Sequence, residues 1–231
     1  MWDLVKSMCL LHSSGPAVTI FGSARIDTKE PLYDIVRNLG YSLGRAGFAI
    51  MTGGGPGLME AVNRGAQDAG ARSLGCRMSF TFEQKMNKHV DRSSTVRHFF
   101  VRKVVMCRQA CGFIVLPGGI GTLDELFEVL ALIQTRKMIS KPVVLFGSAY
   151  WAPLLYLMHE MVVAGTVAER DLTLLSVTDD ITEVLELLLR TRTESQETAS
   201  RAQLFTSENA VAISLSADKL TNNVKASVPR S

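Results

Sequence analysis

The sequence predicts an α/β fold in which a doubly wound parallel sheet carries helices on both faces of a single domain. Short aliphatic or β-branched runs alternate with segments whose apolar residues recur every three to four positions, which is the pattern of strands joined by crossover helices. Some of the strand-like runs are apolar throughout, as strands covered on both faces are. Two of the runs end in glycine-rich turns that lead directly into a helical segment.

In the first half of the chain, residues 17–21 form an apolar run that ends at a glycine and are predicted to be the first strand. A helical stripe from Leu32 to Leu43 follows, and Gly47 ends it. The next predicted elements are a strand over 48–51, a helix over 58–69 and a strand over 73–78. The segment 80–95 shows no clear period.

In the second half, a helix over 101–111 leads into a wholly apolar run at 113–116, which is typical of a central parallel strand. An apolar stripe from Leu123 to Ile133 predicts the next helix. The remaining predicted elements are a strand over 143–146, a helix over 153–164, a strand near 172–177 and a last helix that Asp179 or Asp180 caps and that ends near Leu189.

Composition indicates a soluble, globular, cytoplasmic protein. Hydrophobic residues make up 47% of the 231 residues and charged residues 20%, so the chain is able to bury a full core. The net charge is +3 without a cluster of basic residues, which disfavours binding to nucleic acid or to a membrane surface. Apolar runs are far shorter than the roughly 18 residues of a membrane span, no secretory signal is evident, and four cysteines do not suggest a disulfide framework.

The chain is predicted to have three parts. Residues 1–14 are an N-terminal extension, and residues 15–190 form the nucleotide-binding, catalytic domain. From Arg190 onward, the composition shifts to Thr, Ser, Gln and Asn, so residues 191–231 are expected to be a flexible tail.

The two glycine-rich turns predict a phosphate site. They are Gly53-Gly54-Gly55-Pro56-Gly57 and Pro117-Gly118-Gly119-Ile120-Gly121, and in a parallel sheet both would lie at the carboxyl ends of strands, where ligands bind. Glycine lets a backbone approach an anion closely, and the helix that follows offers free N–H groups. No Lys-Ser/Thr pair follows either turn, so a P-loop is excluded, and the G-x-G-x-x-G spacing of dinucleotide sites fits poorly. A mononucleotide suits these loops better.

Two interpretations of Glu125 remain open from the spacing alone. Thr122 and Glu125 have the S/T-x-x-E spacing of a capping box, and acids suit the first turn of a helix. If a phosphate occupies the loop, however, Glu125 points past it towards the ribose carbon C1′, where a carboxylate stabilises an oxocarbenium ion or activates water.

The two glycine loops resemble motifs of a known family. Residues 53–60 (GGGPGLME) and 117–125 (PGGIGTLDE) look like the GGGxxGxM and PGGxGTxxE motifs of the LONELY GUY (LOG) family of phosphoribohydrolases, formerly called possible lysine decarboxylases. The run 21–25 (FGSAR) resembles its first phosphate loop, and Arg102-Lys103 matches its R-K pair. Phe99-Phe100-Val101 before that pair, together with Glu60 and the run 82–84 (FEQ), resembles the bacterial-type branch.

The resemblance implies a Rossmann-like fold and hydrolysis of the N-glycosidic bond of a nucleoside 5′-monophosphate, either a cytokinin riboside monophosphate or AMP, to free base and ribose 5-phosphate. It implies a homodimer or a higher homo-oligomer with shared active sites, and no cofactor. The catalytic pair would be Arg102 and Glu125. The substrate-binding residues it implies, besides Arg102, are Gly22, Ser23, Gly54, Gly55, Glu83, Lys103, Gly118, Gly119, Gly121 and Thr122.

Other chemistries have weaker support. A non-catalytic nucleotide-binding sensor of the same fold is the alternative, although such a protein has no need of both Arg102 and Glu125. Nothing marks Lys103 as the Schiff-base lysine that pyridoxal phosphate chemistry requires. Cys107 and Cys111 have helical i, i+4 spacing, but no second pair completes four ligands, so no metal site is predicted.

Overall fold

The computed structural model describes residues 2–12, 16–79 and 86–193. Within these residues, seven parallel strands form one sheet in the order β4-β3-β2-β1-β5-β6-β7. The strands are β1 (Ala17–Phe21), β2 (Ala49–Thr52), β3 (Ser73–Met78), β4 (Arg92–Val96), β5 (Ala110–Val115), β6 (Val143–Phe146) and β7 (Leu175–Thr178). The predicted α/β fold with a parallel sheet is confirmed.

Eight helices lie in the described part of the chain. They are α1 (Trp2–His12), α2 (Pro31–Arg45), α3 (Leu58–Asp68), α4 (Phe99–Gln109), α5 (Ile120–Gln134), α6 (Ser148–Val163), α7 (Glu169–Leu172) and α8 (181–193). None of the helices described is long and apolar enough to cross a membrane. The four cysteines are free thiols.

Two hydrophobic clusters cover the two faces of the sheet, because successive side chains of a strand point to opposite faces. In β5, Phe113 and Val115 belong to the cluster that contains α4, α5 and α6. Ile114 belongs to the other cluster, with α2, α3 and α8. The helices therefore lie on both sides, and strands buried on both faces account for the continuous apolar runs in the sequence.

The sequence prediction missed β4, most of which lies in the segment judged aperiodic. In β4 only Ser94 and Val96 are buried, and the strand forms the edge of the sheet. An edge strand needs few apolar residues, and Arg92-Ser93-Ser94-Thr95-Val96 lacks the apolar run on which the prediction relied. The prediction also missed α1, within the segment described only as an extension.

Helix α6 begins at Ser148, five positions before the predicted start, and Pro153 lies inside it. Asp179, from the loop after β7, accepts hydrogen bonds from the backbone N–H of Ser148 (2.8 Å) and from its hydroxyl. Asp179 is distant in sequence from the helix that it caps. The neighbouring residues alone therefore predicted that α6 begins at the proline.

Contacts group the described residues up to Leu188 into one compact unit. Helix α8 continues to residue 193, beyond the predicted end near Leu189. The rest of the predicted tail, residues 194–231, lies outside the described residues.

The strand order places the ligand crevice. Strand β1 lies at the centre, with β2 on one side and β5 on the other. Helices α2 and α3 cover one face, and α4 and α5 cover the other. Loops that leave β1 and β5 therefore diverge to opposite faces, and in open α/β sheets the crevice that opens at this point is where ligands bind.

Candidate active site

Three loops meet at the carboxyl ends of β1, β2 and β5. The backbone N–H of Ser23 donates to the carbonyl of Pro117 (3.0 Å), and the N–H of Leu58 donates to the carbonyl of Ser23 (2.9 Å). The loop after β1 is thus tied to both glycine-rich loops. Together with α4 and α5 they enclose a cavity of about 500 Å³. Its lining comprises Ile20, Phe21, Gly22, Ser23, Ala24, Arg25, Gly53, Met59, Arg102, Gly119, Ile120, Gly121, Thr122 and Glu125.

Two glycines of the β2–α3 loop lie very close to neighbouring groups, and at Gly57 the backbone conformation also requires glycine. Gly57 has φ +69°, and a Cβ there would lie 2.6 Å from the carbonyl oxygen of Ser23. A Cβ at Gly53 would lie 2.5 Å from Nη2 of Arg102, so this loop packs its backbone directly against the guanidinium. Gly119 and Gly121 differ, since nothing lies within 4 Å of where their Cβ atoms would be. They leave open space at the start of α5.

Arg102 and Glu125 form an ion pair at the base of the cavity. Nη1 of Arg102 donates to Oε1 of Glu125 at 3.1 Å, and its Nε donates to the carbonyl of Cys76 at 3.0 Å. Glu125 is 4% exposed, and its Oε2 has no hydrogen-bond partner among the described residues. Burial raises the pKa of the Glu125 carboxyl above its usual range, and the Arg102 charge opposes part of that rise.

The capping-box interpretation of Glu125 is wrong. Helix α5 begins at Ile120 with Gly119 as its N-cap, and no side-chain cap is present. Thr122 and Glu125 are therefore the third and sixth residues of the helix, whereas a capping box needs the threonine before the first helical residue. The glycine loop enters the helix earlier than the spacing suggested, because Gly121 is already helical.

The other residues predicted for the site fall in several places. Gly22, Ser23, Gly119, Gly121 and Thr122 line the cavity. Gly54 and Gly55 line an adjoining cavity of about 250 Å³. Gly118 lines neither, and its carbonyl accepts a hydrogen bond from the hydroxyl of Tyr150 at 2.7 Å.

Two residues from the sequence prediction remain, Lys103 and Glu83. The ammonium of Lys103 lies 2.9 Å from a carboxylate oxygen of Asp124 and 3.4 Å from one of Glu128, on the side of α4 that faces α5. Lys103 does not line either cavity. Glu83 lies outside the described residues.

Sequence reasoning did not assign seven of the residues that line the cavity, among them Arg25, Met59 and Ile120. All three lie within or directly beside the motifs that drew attention to the loops. The signal was therefore present as position for all three, whereas residue type gave no signal for Met59 and Ile120, which are apolar.

A buried polar network fixes the loop after β2. The hydroxyl of Thr52 accepts from the N–H of Gly54 (2.9 Å) and donates to Oδ1 of Asn63 (2.7 Å). Nδ2 of Asn87 donates to the carbonyl of Gly55 (2.9 Å) and to Oδ1 of Asn63 (3.1 Å). Asn63 itself donates to Ser73 Oγ at 2.8 Å and is completely buried. Asn63 thus joins the loop to the sheet.

Replacing Asn63 with alanine should lower the free energy of unfolding by at least about 2 kcal/mol, because it leaves several buried polar groups unsatisfied. Urea unfolding measures this. Asn38→Ala is the matched control, since Asn38 lies on the neighbouring helix α2 and is exposed, and it should change the free energy by no more than about 0.5 kcal/mol. Equal losses in the two variants would show that the network adds no stability.

Solved structures with this fold belong to proteins of different kinds. The molybdenum cofactor carrier protein of Chlamydomonas reinhardtii superposes with a TM-score of 0.57 over 77% of this chain and 98% of its own, at 21% identity. DNA processing protein A of Streptococcus pneumoniae gives 0.53 over 80% and 69%, at 15% identity. At such identities the likeness concerns the fold alone.

Sequence relatives are closer. A probable cytokinin riboside 5′-monophosphate phosphoribohydrolase of Oryza sativa subsp. japonica is 30% identical over 75% of this chain and 77% of its own length. The cytokinin riboside 5′-monophosphate phosphoribohydrolase of Rhodococcoides fascians is 29% identical over 71% and 85%. Two further rice proteins are named as probable enzymes of this kind. This chain matches only 53% and 62% of their respective lengths.

The family model described as possible lysine decarboxylase matches residues 59–188, more than half of the chain. That stretch contains α3 from its second residue onward, the Arg102–Glu125 pair and the whole PGGxGTxxE motif. The chain therefore belongs to the LOG family.

Proposed function

We propose that this protein hydrolyses the N-glycosidic bond of a nucleoside 5′-monophosphate and releases the free base and ribose 5-phosphate. The observation that carries this proposal is the position of Glu125. One carboxylate oxygen is held by Arg102, and the other is buried without a partner among the described residues in the wall of the cavity. A buried acceptor left unsatisfied is costly, and a substrate hydroxyl or an attacking water would satisfy it.

The cavity suits the ribose phosphate. Gly119 and Gly121 leave space beside the first turn of α5, where backbone N–H groups and the helix dipole favour an anion. Glu125 lies one turn further along the same helix, so it is placed beyond a phosphate bound at the helix start. Cleavage builds positive charge at the anomeric carbon, and a carboxylate there stabilises that charge or takes a proton from water.

The adjoining cavity suits the base. It shares Gly53, Met59, Arg102 and Gly121 with the larger cavity, so the two are neighbours across the arginine. Met78, Met86 and Phe99 also line it. Flexible thioethers and an aromatic ring fit an apolar substituent on a purine. We therefore take cytokinin riboside monophosphates as the preferred substrates, in line with the names of the relatives, and AMP as the simplest one.

A substrate panel tests the proposal. The pure protein is incubated with AMP, isopentenyladenosine monophosphate, their ribosides and ATP, and release of free base is measured by chromatography. We expect kcat/KM for the monophosphates to be far higher than kcat/KM for the ribosides and for ATP. Tight binding of a monophosphate without release of base would favour the nucleotide-binding sensor, and equal cleavage of ribosides would contradict the phosphate site.

The pH dependence follows from the burial of Glu125. Because burial raises the pKa of this carboxyl and the proposed role needs the ionised form, kcat should fall as pH decreases, through a pKa above the ordinary carboxylate value of about 4.5. The second ionisation of a substrate phosphate lies near 6, so Glu125→Gln assayed with the same substrate is the control. If kcat of this variant fell at low pH in the same way as in the wild type, the titrating group would be the substrate phosphate instead of Glu125.

We propose that the protein acts in the cytoplasm as a homodimer whose interface includes the rim of the active site. Ile120, on the cavity wall, is 87% exposed, and Phe100 on α4 is 66% exposed. Exposed apolar side chains that border a cleft are typical of protein interfaces. Light scattering of the wild type and of Ile120→Asp with Phe100→Asp tests this, since the charges should shift a dimer to monomer.

A further inference from the structure

Two arginines line the larger cavity, and only one of them is already engaged. Arg102 donates to Glu125 and to the carbonyl of Cys76. Arg25 is exposed, and across residues 2–12, 16–79 and 86–193 its side chain has no hydrogen bond or ion pair. Arg25 is thus a cation in the cavity wall that is available to a ligand.

The backbone at Arg25 is held in place although its side chain is not. The N–H of Arg25 donates to Ser23 Oγ at 3.1 Å, which closes a tight turn after β1. Ser23 is itself bonded through its backbone to Pro117 and Leu58. The Cα of Arg25 is therefore fixed relative to the starts of α3 and α5, while the guanidinium is free to turn to a ligand.

The charges of the cavity lining favour an anion at Arg25. The positive charge of Arg102 is balanced by Glu125 at 3.1 Å. Arg25 then supplies the net charge of the lining, because none of the remaining residues is charged. A phosphate monoester carries about −1.5 to −2 at pH 7, and a guanidinium binds it through two parallel hydrogen bonds.

We propose that Arg25 is the specificity-determining residue that recognises the 5′-phosphate and makes the site select nucleoside monophosphates over nucleosides. This inference rests on the proposed function. The start of α5 holds the phosphate by dipole and backbone N–H groups, whereas Arg25 adds a full charge and a forked donor from the opposite loop. Its contribution is present only when the ligand carries the phosphate.

The test compares substrates with and without the phosphate in three variants. Arg25→Ala should lower kcat/KM for AMP by roughly 10- to 100-fold, the range that hydrogen bonds to charged groups give, and should leave kcat/KM for adenosine within about twofold. Arg25→Lys keeps the positive charge but lacks the forked donor, so its kcat/KM for AMP should lie between the values of the wild type and Arg25→Ala. Arg45→Ala is the matched control, since Arg45 is an exposed arginine in the last turn of α2 and lines neither cavity.

A binding measurement separates this inference from the proposed function. Calorimetry with ribose 5-phosphate and with ribose needs no turnover, and Arg25→Ala should weaken binding of the phosphate only. If the wild type cleaves neither AMP nor adenosine, the hydrolase proposal fails, and the calorimetry still decides the role of Arg25. Parallel losses for AMP and adenosine, or unchanged binding of ribose 5-phosphate to Arg25→Ala, would overturn the inference.

Discussion

Glu125→Gln should lower kcat for nucleoside monophosphate hydrolysis by about 10² to 10⁴-fold, the usual contribution of a general acid–base group. Glutamine has nearly the same size, and its amide oxygen is able to accept the hydrogen bond that Arg102 donates to Oε1 of the native residue. What is lost is the negative charge at the buried Oε2. The variant should therefore fold and bind substrate, with the loss confined to kcat.

Glu128→Gln is the matched control for this variant. Glu128 lies three positions further along α5, its side chain is 40% exposed, and its carboxylate lies 3.4 Å from the ammonium of Lys103. The same substitution on the same helix should leave kcat near the wild-type value. If Glu125→Gln retained near-normal kcat, then the free oxygen of Glu125 would have no part in the reaction.

Arg102→Lys should lower kcat by at least about 10²-fold although it keeps the positive charge. The guanidinium donates at once to the carbonyl of Cys76 and to Glu125, in two directions fixed by its plane. A lysine ammonium is a point charge on a flexible stem and does not reproduce that fork. Glu125 would then lose its fixed orientation, and its carboxylate would face the cavity without a positioned partner.

Arg108→Lys provides the comparison for Arg102→Lys. Arg108 lies in the last turn of the same helix, α4, and is exposed, so its replacement should leave kcat unchanged. Because Arg102 and Glu125 act as one unit, the double variant Arg102→Lys with Glu125→Gln should lose less than the product of the two single losses. Strictly multiplicative losses would contradict the coupling.

The sequence determined the parallel sheet and the loops that carry the site. The bounds predicted for β1, β3 and β6 agree with the structure, although β3 contains Ser73, Gly75 and Arg77. Strands β1 and β6 are compact, mainly apolar runs, and a run buried on both faces can be recognised without reference to distant residues. The two glycine loops follow strands for the same local reason. By contrast, β4 is a polar edge strand, and the start of α6 depends on a cap from Asp179. Neither feature is encoded in the neighbouring residues.

The chemistry of the site shows the same division. Residue types in the motifs identified Arg102 and Glu125, but spacing alone left Glu125 between a helix cap and an active-site carboxylate. The tertiary structure excluded the cap, because α5 begins at Ile120, and it brings Arg102 from another helix to 3.1 Å from Glu125. Arg102 and Lys103 are adjacent in sequence, yet one turns to the cavity and the other to Asp124 and Glu128. Successive residues of a helix point about 100° apart, so the packing of α4 against the sheet and α5 determines which of two neighbouring cations lines the cavity.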